Sequence, residues 1–141
     1  MQLLEIFKSE KNIQLDKKTL VILRWIAIIG QFITINFVYL VLNFDFPFIY
    51  CSSLIFLGVF TNIFLQFGTK KKLLSNFVAT VYLTYDLIQL TVLVYFTGGI
   101  TNPFVILLVV PAVVSSTFLS LRSTVNLSFI TAVSLLILTL Y

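Results

Sequence analysis

The stretch YFTGGITNPFVI, residues 95–106, sets a glycine pair, two threonines and an Asn-Pro step between two strongly apolar runs. Glycines can take the left-handed backbone that ends a helix, Asn is a favoured N-cap, and Pro suits the first helical position. The stretch therefore reads as a turn that closes one helix near Phe96 and opens the next at Pro103. Whether those helices lie in water or in lipid is decided by what flanks them.

Of the 141 residues, 60% are hydrophobic and 10% charged, and the mean hydropathy is +1.10. Soluble domains carry roughly 25% charged residues, and a fold this small cannot hide so much apolar surface from water. The chain is expected to be an all-α, polytopic membrane protein of one domain. A crossing of about 30 Å takes roughly 17–25 apolar residues, and the sequence holds five such runs: 20–42, 48–67, 77–96, 103–121 and 125–141. The links between them, including NFDFP, GTKKKLLSN and RST, are short, so consecutive spans should be antiparallel neighbours. Residues 1–19 form a polar lead in which Leu3, Leu4, Ile6 and Phe7 alternate with charges, a pattern compatible with a surface-lying helix. The first run ends without a small-x-small cleavage site and reads as an anchor rather than a leader.

The formal charge is +4, from nine Lys and Arg against five Asp and Glu. With alternating spans, Lys8, Lys11, Lys17, Lys18, Lys70, Lys71, Lys72 and Arg122 all fall on one side, and Asp45 on the other. The positive-inside rule then places the N-terminus in the cytoplasm and the 97–102 turn at the outer face. No basic stripe is left over for nucleic acid. The chain has no histidine and one cysteine, so no set of residues has metal-ligand spacing and no catalytic residue is assigned. Cys51 reads as a small apolar filler.

Asp86 is the one acid inside a span. A charge at that depth costs at least about 2.5–3.5 kcal/mol, so it should face other helices and be neutralised, hydrogen-bonded or paired. In TVYLTYDLIQL, residues 80–90, Tyr82 and Gln89 lie one turn to either side of Asp86 and complete a polar stripe. Continued outward, the stripe heads for Phe96 and Thr97. Arg24 is about five residues into the first span and is expected to snorkel to the cytoplasmic interface, with Trp25 as an aromatic anchor. Pairing with Asp86 requires a reach of roughly 9 Å in depth by helical rise. Gln31, Asn36, Asn62 and Gln66 are expected to join helices by hydrogen bonds. Pro111 should free the carbonyl of Leu107 and kink its span, with Ser115 and Ser116 near enough to help.

As a surface, the turn exposes bare backbone at Gly98 and Gly99, the Asn102 amide, aromatic faces at Tyr95 and Phe104, and free N–H groups at a helix start. Such a set suits a neutral, lipid-soluble ring that bears two carbonyl oxygens, as a quinone does. The string DLIQLTVLVYFTGGITNPFVILLVVPAVVSSTFLSLRSTV, residues 86–125, resembles the membrane region of RegB/PrrB-type sensor histidine kinases, whose hallmark is a GGxxNPF heptapeptide between the third and fourth helices. Gly98, Gly99, Asn102, Pro103 and Phe104 match that motif, and RWIAIIGQ, residues 24–31, resembles the family's first helix.

The resemblance implies that Gly98, Gly99, Thr101, Asn102, Pro103 and Phe104 contact ubiquinone, with Tyr95, Asp86 and Gln89 as further candidates. It implies a homodimer in the bacterial inner membrane that follows the redox state of the quinone pool. There it controls a cytoplasmic, ATP-using kinase module and, through it, a response regulator. The family has six membrane helices followed by that module. This sequence has five spans and ends on apolar residues at Tyr141, so it is expected to be a piece of such a sensor or a reduced form of one. Two other readings stay open: a small proton-coupled transporter built on Asp86, and a non-catalytic membrane anchor subunit.

Overall fold

Asp16 opens the first helix by accepting the Lys18 N–H on its carboxylate at 3.2 Å. In the computed structural model, which describes residues 15–141, helix α1 therefore runs Lys17–Leu40. It starts before the apolar run at Leu20 because a cap, not hydropathy, sets a helix start. The surface helix expected at the N-terminus falls on residues that lie, up to residue 14, outside those described. Three more helices of crossing length follow: α2 (Phe48–Gly68), α3 (Asn76–Phe96) and, last in the chain, α5 (Leu121–Leu140). Ser75 and Ser120 cap α3 and α5 by accepting the N–H groups of Val78 and Ser123.

The fourth apolar run is built differently. Residues Pro103–Val109 wind as a 3₁₀ helix and Val110–Phe118 as α4. Pro111 explains the change, because its ring cannot share space with the carbonyl four residues back. The Leu107 carbonyl is not left free for Ser115 or Ser116, as expected; it accepts the Val110 N–H instead. Ser115 bonds Thr124 at 3.0 Å and Ser116 donates to its own helix at Val113. The run stops at Phe118, short of the expected Leu121. With a rise of about 2.0 Å per residue in the 3₁₀ part and 1.5 Å in the α part, it still reaches about 27 Å. Among the described residues, four helices are by residue count long and apolar enough to cross a membrane, with Pro103–Phe118 a shorter apolar helix. The link to α5 is only Leu119–Ser120, and the RST expected as a loop lies inside α5.

α1 and α2 form an antiparallel hairpin, α3 packs against α2 and α5, and α4 packs against α5. Two apolar clusters fill the gaps: one joins Leu20, Leu65, Leu83, Leu87, Leu108 and Leu127, the other Ile28, Ile35, Cys51, Ile55 and Leu93. Cys51 is fully buried, as its reading as a filler requires. α5 meets its neighbours through Ser123, Leu127, Thr131, Ser134 and Leu138, a face of small residues alternating with leucines that lets backbones approach. Thr80 donates to Ser123 at 2.7 Å, and Thr131 to the Leu108 carbonyl at 3.4 Å. The outer surface is apolar all round, with Phe60, Ile106 and Phe129 about 70% exposed. Patches of that extent belong in lipid, and the molecule is a multi-pass membrane protein.

The two ends of the bundle differ in chemistry. At one, the Lys17 N–H donates to the Lys72 carbonyl at 2.9 Å and the Leu74 N–H to the Leu15 carbonyl at 3.0 Å. Lys17 Nζ donates to the Thr69 and Gln66 carbonyls at 2.6 and 3.2 Å, closing the C-terminus of α2 where a cation is favoured. The other end is aromatic: Tyr39 stacks on Phe48 at 4.6 Å, Tyr50 on Phe96 at 6.2 Å, and Tyr95 meets Tyr141 edge-on at 6.2 Å. A belt of this kind marks a membrane–water boundary.

Candidate functional site

The turn after α3 begins at Thr97, whose N–H still reaches the Leu93 carbonyl at 3.1 Å. Gly98 then takes φ 124° and Gly99 φ 62°, conformations costly for any residue with a Cβ. A single 3₁₀ turn, Gly99–Thr101, leads to Asn102, which caps the next segment by accepting the Phe104 N–H at 2.9 Å. Helix end, cap and Pro start thus take the form read from the sequence.

Asn102 does more than cap. Its Nδ2 donates to Thr97 Oγ1 at 2.7 Å and to the Thr97 carbonyl at 3.3 Å, and its backbone N–H closes on the Gly99 carbonyl at 3.1 Å. Thr97 Oγ1 in turn donates to the Leu93 carbonyl at 2.7 Å, and Thr101 Oγ1 to the Gly98 carbonyl at 2.7 Å. Both functions of the Asn102 amide are thereby spent on holding the end of α3 to the start of the next segment. Thr97 is the partner that sequence reasoning passed over; its signal was a hydroxyl residue directly before the glycine pair. In contrast, the N–H group of Gly98 makes no hydrogen bond within the described residues. Tyr95 and Phe104 are 48% and 41% exposed, so both aromatic side chains are partly accessible at this end. Beneath the turn, Gly99 lies close to the Leu138 carbonyl of α5.

A second polar layer lies deeper, between α1, α2 and α3. Arg24 is not an interfacial anchor: it is 3% exposed and grips Asp86, with Nε 3.1 and 3.0 Å from the two carboxylate oxygens and Nη2 2.8 Å from one of them. Nη2 also donates to Thr61 Oγ1 at 2.8 Å, and the guanidinium lies 5.0 Å from the Tyr82 ring and 5.8 Å from that of Tyr85. The early start of α1 explains the pairing. From Lys17, Arg24 is about 10.5 Å deep by helical rise, and Asp86 is about 15 Å from the start of α3, so the depth gap is about half of that expected. Trp25, the second expected anchor, packs between the two apolar clusters.

One turn further on, Gln89 Nε2 donates to Gln31 Oε1 at 3.3 Å, and Asn62 Nδ2 donates to the Val21 carbonyl of α1 at 3.3 Å. Asn36 bonds only its own helix, at Phe32, and Gln66 is exposed, so these two do not join helices as expected. The polar stripe of α3 is real but faces α1. Asp86 and Gln89 stand about 18 and 13 Å below Gly98 by helical rise and are engaged by Arg24 and Gln31. The structure gathers Tyr95, Gly98, Gly99, Thr101, Asn102, Pro103 and Phe104 at the turn and keeps Asp86 and Gln89 apart from them.

Arg24 Nη1 and Gln89 Oε1 are buried without a partner, at a typical cost of about 1–3 kcal/mol for each such group and more for a charged one. Among the described residues, no group of three or more Cys, His, Asp or Glu is placed to hold a metal.

Fold and site together define a polytopic, all-α membrane protein with an aromatic turn at one end of the bundle and a buried ion pair, a class that includes receptors, transporters and anchor subunits. Comparison narrows the class: the chain is 36% identical over 125 residues to the sensor histidine kinase RegB of Cereibacter sphaeroides, a match over 88% of this chain. In a chain of this length such a match necessarily contains Arg24, Asp86 and the 98–104 turn. The chain spans 27% of the length of that curated relative. No family model matches the chain, and no solved structure matches it.

Proposed function

We propose that this chain is the membrane sensor module of a bacterial sensor histidine kinase, and that the GGITNPF turn follows the redox state of the quinone pool. The observation that carries the reading is the 36% identity to RegB across a stretch containing the whole turn. The kinase module, its ATP and its response regulator belong to a part of the protein outside these residues, and the module acts as a homodimer in the inner membrane with its N-terminus cytoplasmic.

The geometry of the turn supports a quinone as ligand. The unpaired N–H group of Gly98 is a donor for a ring carbonyl, and the exposed aromatic side chains of Phe104 and Tyr95 offer stacking surfaces for the ring. An open apolar groove of about 300 Å³ between α3 and α5, lined by Ile88, Val92, Phe129, Ile130 and Val133, reaches Ile137, the neighbour of Leu138 beneath Gly99. That groove gives an isoprenoid tail a path along the bundle. Thr101, Asn102 and Pro103 act by setting the turn, and Asp86 and Gln89 by holding α3 to α1. The transporter reading is weakened, because Asp86 is held by Arg24 and is not a free acid.

Binding of a short-chain ubiquinone to the protein in lipid nanodiscs tests the proposal. Wild type is expected to bind saturably, and Phe104→Ala to weaken binding about tenfold, the equivalent of one lost aromatic contact of about 1.4 kcal/mol. Equal affinity for the two proteins would count against the turn as the contact site.

A further inference from the structure

Around the ion pair, the backbones of α1 and α3 pack only weakly against one another; the bridge between them is made by side chains. Two atoms of that bridge are orphaned, Arg24 Nη1 and Gln89 Oε1, on residues only 3% and 6% exposed. Both residues line one cavity of about 30 Å³, together with Gln31, Gly58 and Asp86. One water needs roughly 10–15 Å³ of such space and two to four polar partners. The space is too small for a lipid chain. Its lining carries one cation and one anion already paired at 2.8 Å, so an ion of either sign gains little there.

We infer that this cavity is a binding site for a single water molecule, which accepts a hydrogen bond from Arg24 Nη1 and donates one to Gln89 Oε1. The water completes the bridge from α1 to α3 that direct contacts leave unfinished. Gly58 is the wall that keeps the site open: a Cβ placed there comes within 2.9 Å of Gln89 Nε2 and 3.0 Å of Oε1, which forces the amide off its position and into the cavity. The inference stands on the middle of the bundle and is independent of any ligand at the turn.

Water-edited solid-state NMR on the protein in bilayers tests it. In an Arg122→Lys background, Arg24 is the one guanidinium in the chain, so its side-chain signal is unambiguous. Magnetisation transfer from water to the Arg24 Nη nitrogens is expected, and its loss is expected in Gly58→Ala. Gln89→Leu, which removes the acceptor without touching the α2 wall, is expected to lose it as well and serves where Gly58→Ala does not fold. Absence of transfer in the Arg122→Lys protein would overturn the site. Transfer that persists in Gln89→Leu would also overturn it, since it would mean that water reaches Arg24 by an open path rather than a built site.

Discussion

Arg24 of α1 and Asp86 of α3, 62 residues apart in the chain, meet through three hydrogen bonds of 2.8 to 3.1 Å. The pair joins the α1–α2 hairpin to the rest of the bundle at a point where the two backbones scarcely touch. Removing the carboxylate leaves the buried Arg24 guanidinium without its counter-ion. Asp86→Ala is therefore expected to destabilise the bundle by about 3–5 kcal/mol, whereas the double variant Arg24→Met/Asp86→Leu is expected to lose little or nothing. Unfolding in mixed detergent micelles of graded denaturing strength measures both. Equal losses in the single and double variants would contradict the pairing as described.

At the turn, the two glycines should differ in tolerance. Gly98 sits at φ 124° and Gly99 at φ 62°, and an L-residue enters the second, left-handed region at about 1–2 kcal/mol but is strained further at the first. Neither position is crowded, the nearest atoms to an added Cβ being 3.6 Å and 3.8 Å away, so backbone strain decides the outcome. Gly98→Ala is expected to lower the unfolding midpoint more than Gly99→Ala. The reverse order would mean that contacts with α5, rather than φ, govern the turn.

Asn102 is tied to Thr97 at 2.7 Å, which yields a prediction about how it acts. If the amide works by shaping the turn, Thr97→Val removes the same brace from the other side and should weaken binding of a quinone analogue about as much as Asn102→Ala does. Equilibrium binding to both variants in nanodiscs decides it. A loss confined to Asn102→Ala would instead make the amide a direct ligand contact.

Much of this was legible in the residues because it follows from local chemistry. The helix-ending glycines, the Asn102 cap and the Pro103 start are properties of single residues in sequence order, and the apolar runs announced the bundle. The position of Arg24 was harder to read for a specific reason. Hydropathy put the start of α1 at Leu20, but the Asp16 carboxylate began it at Lys17 and carried Arg24 nearly a turn deeper, from the interface to Asp86. The fourth run was misjudged in length because Pro111 favours 3₁₀ winding, which covers more depth with fewer residues. Lys17 is one of several cations grouped on one side in the sequence; only the folded chain brings it to the end of α2.

The charge asymmetry of the two ends makes orientation testable. In a Cys51→Ala background, Asp45→Cys and Lys71→Cys place single thiols at the aromatic and basic ends. In intact cells a membrane-impermeant maleimide is expected to label the first and to spare the second until the cells are opened. Labelling of Lys71→Cys from outside would invert the topology and move the 98–104 turn to the cytoplasmic face.

Docking of a quinone at this turn is tested most directly by photolabelling. An azidoquinone photolysed with the membrane-embedded protein is expected to mark the segment from Tyr95 to Phe104, with the label suppressed by excess unlabelled ubiquinone. Label found elsewhere, or label in this segment that excess ubiquinone does not suppress, would contradict it.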